Sequence, residues 1–161
     1  MTVPRIGPAP VMISDEVFAP FGAVIRHDGR AGRRHLPLAH DDMLPGTRPL
    51  LWVNRLEPVA GDILLSRIER HPLSAQSFMP LASVTLLTAV CPSLPDGRPD
   101  LGRLMPVLLP PGVGVIYRRG VWHHGLLSPD RRCDVAVLMA RKSDAEDTEF
   151  HDLPYPLKLP R

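Results

Sequence analysis

The chain is expected to be all-β, a small barrel of short strands with a few short helices. Three observations carry that expectation. Apolar runs rich in Val, Ile and Leu recur along the 161 residues, and turn signals separate them. Twenty prolines work against long helices, because proline lacks a backbone N–H and clashes with the preceding turn. Short strands with open edges are aggregation-prone, so a chain built of them gains by closing the sheet on itself. One domain over residues 1–161 accommodates the whole pattern, with no internal repeat and no linker.

Taken in order, Ser14 is placed to cap a short helix over Asp15–Ala19, with acids in its first turn and Pro20 ending it. Phe21–Ile25 reads as a first strand. Residues 28–49 hold Gly, Arg, Pro and His without a sustained period and form a long excursion, an active-site lid or a dimer contact. Leu50–Asn54, Ile63–His71 and Val84–Val90 are β-patterned, the last nearly continuous and so buried on both faces. Pro92–Pro99 is a loop. Met105–Leu109, Val113–Tyr117 and Cys133–Met139 add strands, with turns at Pro110-Pro111-Gly112 and Ser128-Pro129-Asp130. After Ala140 the chain becomes polar and then proline-rich, and Leu153-Pro154-Tyr155-Pro156 is expected to pack on the barrel or on a neighbour rather than join its core.

Composition narrows the function. Nineteen basic against 17 acidic residues leave a net charge of +2 and no clustered basic face, so nucleic acid is not an expected partner. The run Arg30–Arg34 reads as a solvated loop, since no aromatics are interleaved with it. No apolar run approaches the ~18 residues of a membrane span. Two cysteines, Cys91 and Cys133, are too few for a disulfide framework, and no leader precedes them, which points to the cytoplasm. Cys133 sits in an apolar run, where a thiol acts as a small hydrophobe.

Two stretches hold the chemistry. Glu69-Arg70-His71-Pro72 ends the 63–71 strand, and residues two apart in a strand share a face, so Glu69 and His71 project together. Gln76 follows. The second stretch, Gly112 to His124, closes on Gly120-Val121-Trp122-His123-His124. A divalent transition metal takes three or four N/O donors, and Glu69, His71, Gln76 and His123 supply such a set. A single histidine is ordinarily a satisfied structural side chain; two of them at matched positions shift that balance. Glu69, His71 and His123 are the candidate catalytic groups. Arg55, Arg67, Arg70, Arg118 and Arg119 are candidates to hold a carboxylate, which guanidinium matches in a bidentate fork, with Arg55 or Arg70 as the expected anchor. Arg67 shares the face of Glu69 and His71, whereas a regular strand turns Arg70 the other way. Tyr117, Trp122 and Gln76 are expected to line the pocket, although a lone aromatic is more often core. Alternation turns His124 away from His123.

The spacing resembles the two cupin motifs, His-x-His-x4-Glu and Gly-x5-Pro-x-Gly-x2-His, with Glu69 at the first His, Gln76 at the Glu and Arg118 at the Pro. In finer detail, Glu69-Arg70-His71-Pro72, Gln76, Phe78 and Pro80, with Gly114 to Tyr117 and Val121-Trp122-His123-His124, resemble the bacterial ureidoglycolate lyase family. Phe18 to Ile25 and Asn54-Arg55 add to the likeness, which spans roughly 13–139. The resemblance implies a cupin-like (RmlC-like jelly-roll) barrel, usually a homodimer. Its reaction would split (S)-ureidoglycolate into glyoxylate and urea in allantoin and purine breakdown, with nickel or a similar divalent metal. The chain departs from the family pattern at Ile116 (an Asn in the family), at Gly125 (a proline) and in the tail after Met139. Those departures leave two other readings open: a cupin-like binding or regulatory protein, or a lyase for a related carbinolamide.

Overall fold

The computed structural model describes residues 3–142 and 147–160. In chain order the elements are β1 (Arg5–Ile6), β2 (Val11–Met12), α1 (Asp15–Phe18), β3 (Gly22–Ile25), α2 (Leu38–Asp41), β4 (Arg48–Leu56), β5 (Ile63–Arg70), β6 (Gln76–Pro80), β7 (Leu86–Cys91), a 3-10 turn (Leu101–Arg103), β8 (Met105–Leu109), β9 (Gly114–Tyr117), β10 (Trp122–Leu127), β11 (Cys133–Arg141) and β12 (Glu149–Leu159). The strands form two sheets, ordered β1-β12-β5-β10-β7-β8-β2 and β3-β9-β6-β11-β4. The chain is all-β as expected, and its two curled sheets form a half-barrel.

The inter-sheet core follows from strand alternation. Val135 and Val137 of β11, Phe78 of β6, Val115 and Tyr117 of β9, and Leu86, Val90, Val107 and Leu109 of the larger sheet pack into one cluster with Phe18 and Phe21. A second cluster lies on the outer face of the larger sheet, where Leu65, Ile68, Ala89, Cys91 and Trp122 are covered by Leu101, Leu153 and Leu157. Close approach between strands demands glycine at Gly22: a Cβ there would stand 1.7 Å from the Ile116 carbonyl oxygen. At α1 the Ser14 hydroxyl accepts the Val17 N–H at 3.1 Å, so the expected cap forms, and the helix is one turn long.

Five strands lie outside the sequence expectation, the two-residue β1 and β2 among them. β6 and β10 were hidden in the motif stretches, and β12 is an eleven-residue strand in the larger sheet rather than a tail lying on the barrel. Pro154 and Pro156 argue against a strand because they cannot donate to a ladder. They are tolerated because β12 loops away from β5 there: Asp152 pairs with Arg67, whereas Leu157 pairs with Leu65. The excursion over 28–49 contains α2, and it ties down both motif loops. Asp42 accepts the Arg119 N–H at 2.7 Å, and the Leu44 N–H donates to the Leu73 carbonyl at 2.9 Å.

Phe18 shows how this core supports what lies above it. The ring is fully buried, 6.2 Å from Phe21 and 5.9 Å from Tyr117 between centroids. Phe18→Ala is expected to cost about 3–5 kcal/mol, the usual range for deleting a buried phenyl ring. Urea denaturation measures it, and a loss below about 1 kcal/mol would show that the ring does not hold the core together.

Candidate active site

β5 and β10 meet at one registered pair, His123 opposite Glu69. Ile63, Leu65 and Ile68 all belong to the outer cluster, so the alternation of β5 changes phase between Leu65 and Ile68. That irregularity, where β12 loops out, turns Arg67 and Glu69 to the inner face. His71 lies one residue beyond β5 and stays buried. Gly120, with φ of 75°, makes the turn before β10, and its N–H donates to the His71 carbonyl at 2.9 Å. The two motif loops are thereby bonded together.

The side chains converge. Gln76 Oε1 lies 3.0 Å from His71 Nε2 and 3.1 Å from His123 Nε2. Glu69 Oε1 lies 3.9 Å and 3.8 Å from the same two nitrogens. Ligand atoms of Glu69, His71 and His123 all fall within 4.8 Å of one another, so the three could hold a metal ion. The far nitrogens decide the protonation. His71 Nδ1 is 2.6 Å from the Asp147 carbonyl oxygen, and His123 Nδ1 is 2.9 Å from the Val121 carbonyl oxygen. A carbonyl only accepts, so each Nδ1 carries a proton, and Nε2 is the atom each ring turns toward Glu69 and Gln76. Two imidazole nitrogens, a carboxylate oxygen and an amide oxygen then face one another, and N and O donors of this kind are those a divalent transition metal takes.

Burial and then the neighbouring His71 push the His123 pKa down to about 3, so at neutral pH this ring is uncharged. Tyr117 stacks on it, with centroids 4.0 Å apart and planes 12° from parallel. The Thr88 hydroxyl donates to the His124 carbonyl at 2.6 Å. Its one proton is thereby used, so the Tyr117 O–H donates to Thr88 Oγ1 at 2.7 Å. Burial also raises the Tyr117 pKa. Tyr117 is therefore a wall for His123 and has no proton to give the pocket.

A cavity of about 270 Å³ opens beside Glu69 and His123, and Arg67, His124, Gly125 and Phe150 complete it. Arg67 Nε donates to Asp152 at 2.6 Å, and its guanidinium lies 5.1 Å from the Phe150 ring.

The family model described as ureidoglycolate lyase matches residues 8–159. The chain belongs to the ureidoglycolate lyase family. A relative named ureidoglycolate lyase from Chelativorans sp. (strain BNC1) is 32% identical, covering 92% of this chain and 94% of the relative. One of that name from Burkholderia cepacia is 36% identical over 78% and 75%. Another, from Escherichia coli (strain SMS-3-5 / SECEC), is 33% identical over 85% and 89%. Among solved structures, a dTDP sugar isomerase from Desulfovibrio desulfuricans G20 is similar over 83% of this chain and 80% of its own, at 15% identity and a TM-score of 0.46.

Against the expectations drawn from the ureidoglycolate lyase family pattern, Glu69, His71, Gln76, Tyr117 and His123 come together. Arg55, Arg70 and Trp122 do not. Arg55 extends from the outer face of β4, held by Asp134 at 2.7 and 2.9 Å. Arg70 and Trp122 lie on the far face of the larger sheet. There the guanidinium stacks 4.6 Å over the indole, and both side chains donate to the Gly97 carbonyl. Period-two alternation separates Arg70 from Glu69, and Trp122 from His123. Ile116 likewise faces away from the pocket, opposite Ala23 and Ser77, while its neighbour Tyr117 faces in. His124 was expected to point away, and it pairs with Ala89 of the outer cluster as alternation requires; it still lines the cavity rim, where β10 gains one residue over β7 between His124 and Leu127. Sequence reasoning missed Asp147, Phe150 and Thr88. None lies in a motif, and each reaches the site from a separate strand or loop.

Proposed function

We propose that this protein is a ureidoglycolate lyase that releases glyoxylate and urea from (S)-ureidoglycolate, with Glu69, His71, Gln76 and His123 as ligands of one divalent cation. The observation that carries the reading is the convergence of those four N- and O-bearing side chains beside a cavity that contains a guanidinium. Nickel is the metal that the family resemblance suggests. Bound among these ligands, a divalent cation would polarise the substrate hydroxyl and lower its pKa.

The substrate is a carbinolamide whose central carbon bears hydroxyl, ureido nitrogen and carboxylate. Arg67, at the cavity rim, holds the carboxylate, exchanging Asp152 for it as partner. Glu69 has a quarter of its side chain exposed and faces both the imidazoles and the cavity. It takes the hydroxyl proton, the C–O bond becomes a carbonyl, and the C–N bond breaks with its electron pair on nitrogen. The same proton passes from Glu69 to that nitrogen, and glyoxylate and urea leave. His123, neutral down to about pH 3, contributes a lone pair and no proton.

A binding protein without this reaction drew its support from Ile116 and the divergent tail. Ile116 turns away from the pocket, and the tail forms β12 and brings Phe150 to the cavity, so neither favours that reading.

A homodimer is the proposed assembly. Leu51 and Val53 are 69% and 58% exposed on the outer face of β4, which is the edge of the smaller sheet. An apolar, unpaired edge of this kind is ordinarily covered. The cytoplasm is the proposed compartment: both cysteines are free and buried, as a reducing environment permits. Among the described residues no helix is long and apolar enough to cross a membrane.

Three outcomes are expected. Wild type supplied with nickel releases glyoxylate and urea from ureidoglycolate, and His123→Ala, still folded, loses at least about 10- to 100-fold in rate, the loss that follows when even a group behind a metal ligand is removed. An inactive wild type would end the lyase reading, and a fully active variant would end the role of His123. Arg67→Ala raises KM about 10- to 100-fold with a smaller effect on kcat, while Arg55→Ala leaves both near wild type; equal effects of the two would remove Arg67 from the site. Light scattering after gel filtration finds a dimer that Leu51→Asp with Val53→Asp splits into monomers, and a monomeric wild type would refute the assembly.

A further inference from the structure

Asp147 stands outside both motif stretches, yet it is 3% exposed and grips the end of β5 from two sides. Its main-chain oxygen is 2.6 Å from His71 Nδ1. Its carboxylate oxygens are 3.1 and 2.9 Å from the Leu73 amide nitrogen. Between these two grips lies the His71-Pro72-Leu73 segment. The main-chain contact alone would orient the ring only while the segment bearing His71 kept its distance. The carboxylate contact supplies that condition, because it ties the same residue to the chain two positions on. Thr148 adds its hydroxyl 3.3 Å from the same His71 nitrogen. His123 has a comparable main-chain partner, but one from its own strand entry, Val121. His71 depends on a residue 76 positions away.

We propose that Asp147 is a positioning residue of the site: its carbonyl holds the proton on His71 Nδ1 and its carboxylate locks the loop bearing that ring, so that Nε2 faces Glu69 and Gln76. Partners behind a ligating imidazole set both its tautomer and its angle, and losing one commonly weakens cation binding or activity 10- to 100-fold. Asp147 does not touch the cavity, so its effect runs through His71. The consequence for cation binding rests on the ligand set proposed above, whereas the tautomer assignment rests on the two contacts alone.

Two measurements test it. Long-range ¹H–¹⁵N spectra of the metal-free wild type are expected to show His71 as the Nδ1–H tautomer, and the Nε2–H form would overturn the proposal without any variant. Nickel(II) alone is then titrated against a competing chelator. Asp147→Ala is expected to bind 10- to 100-fold more weakly and to show His71 in mixed tautomers. A folded Asp147→Ala with wild-type affinity and a single tautomer would refute the positioning role. Asp147→Asn keeps an oxygen for the Leu73 N–H and is expected to stay nearer wild type in both readouts. If it loses as much as Ala, or, where Ala does not fold, shows His71 in the other tautomer, the hydrogen-bonded clamp is wrong. A wild type that binds no nickel yet shows the Nδ1–H tautomer would refute the metal reading and leave the tautomer assignment standing.

Discussion

Two hydrogen bonds that face away from the pocket govern what the pocket is. Each site histidine spends its Nδ1 proton on a main-chain carbonyl, Asp147 behind His71 and Val121 behind His123. With those contacts made, each ring turns its Nε2 to the inward side of the cluster. Glu69 and Gln76 add oxygens to it. The arrangement is stable only because the β-scaffold holds it. The His123–Glu69 register brings the two strands together, and Gly120 donates to the His71 carbonyl to join the two loops. Burial reinforces the result, since a desolvated imidazole beside another imidazole resists taking a proton of its own.

The division of labour between the two faces of the larger sheet follows from the same strands. One face of β5 and β10 gives Arg67, Glu69 and His123 to the cavity. The other gives Ile68 and Trp122 to the outer apolar cluster, with Arg70 lying across the indole. Alternation thus sorts the family-like stretches between pocket and outer cluster, except at the cavity itself, where Ile68, His124 and Gly125 also contribute to the lining. A departure such as Ile116 falls on the wrong face to alter the substrate.

Much of this was legible in the sequence because it is local. Period-two alternation placed Glu69 beside His71, and the Gly120-to-His123 spacing placed the second imidazole. Alternation also held enough information to set Arg70 aside. Arg55 was a different case, since nothing in its own strand reveals which face meets the partner sheet. β12 was illegible for a physical reason: Pro154 and Pro156 occur where a ladder would normally be broken, and here the strand does leave its neighbour at that point. Asp147 and Thr88 could not be foreseen. Their partners lie tens of residues away, and no periodicity encodes a contact of that range.

That long range bears on how the protein is made. The chain from His71 to Val121 and His123 can pair as soon as β10 has formed, but the Asp147 carbonyl reaches His71 only after β11 has been laid down between β6 and β4 and the chain has turned back toward β5. Contacts so distant in sequence close late, because the loop entropy must be met first. During synthesis on the ribosome the contact behind the first histidine therefore belongs to the last stage of folding, after the strands that carry both motif stretches have emerged.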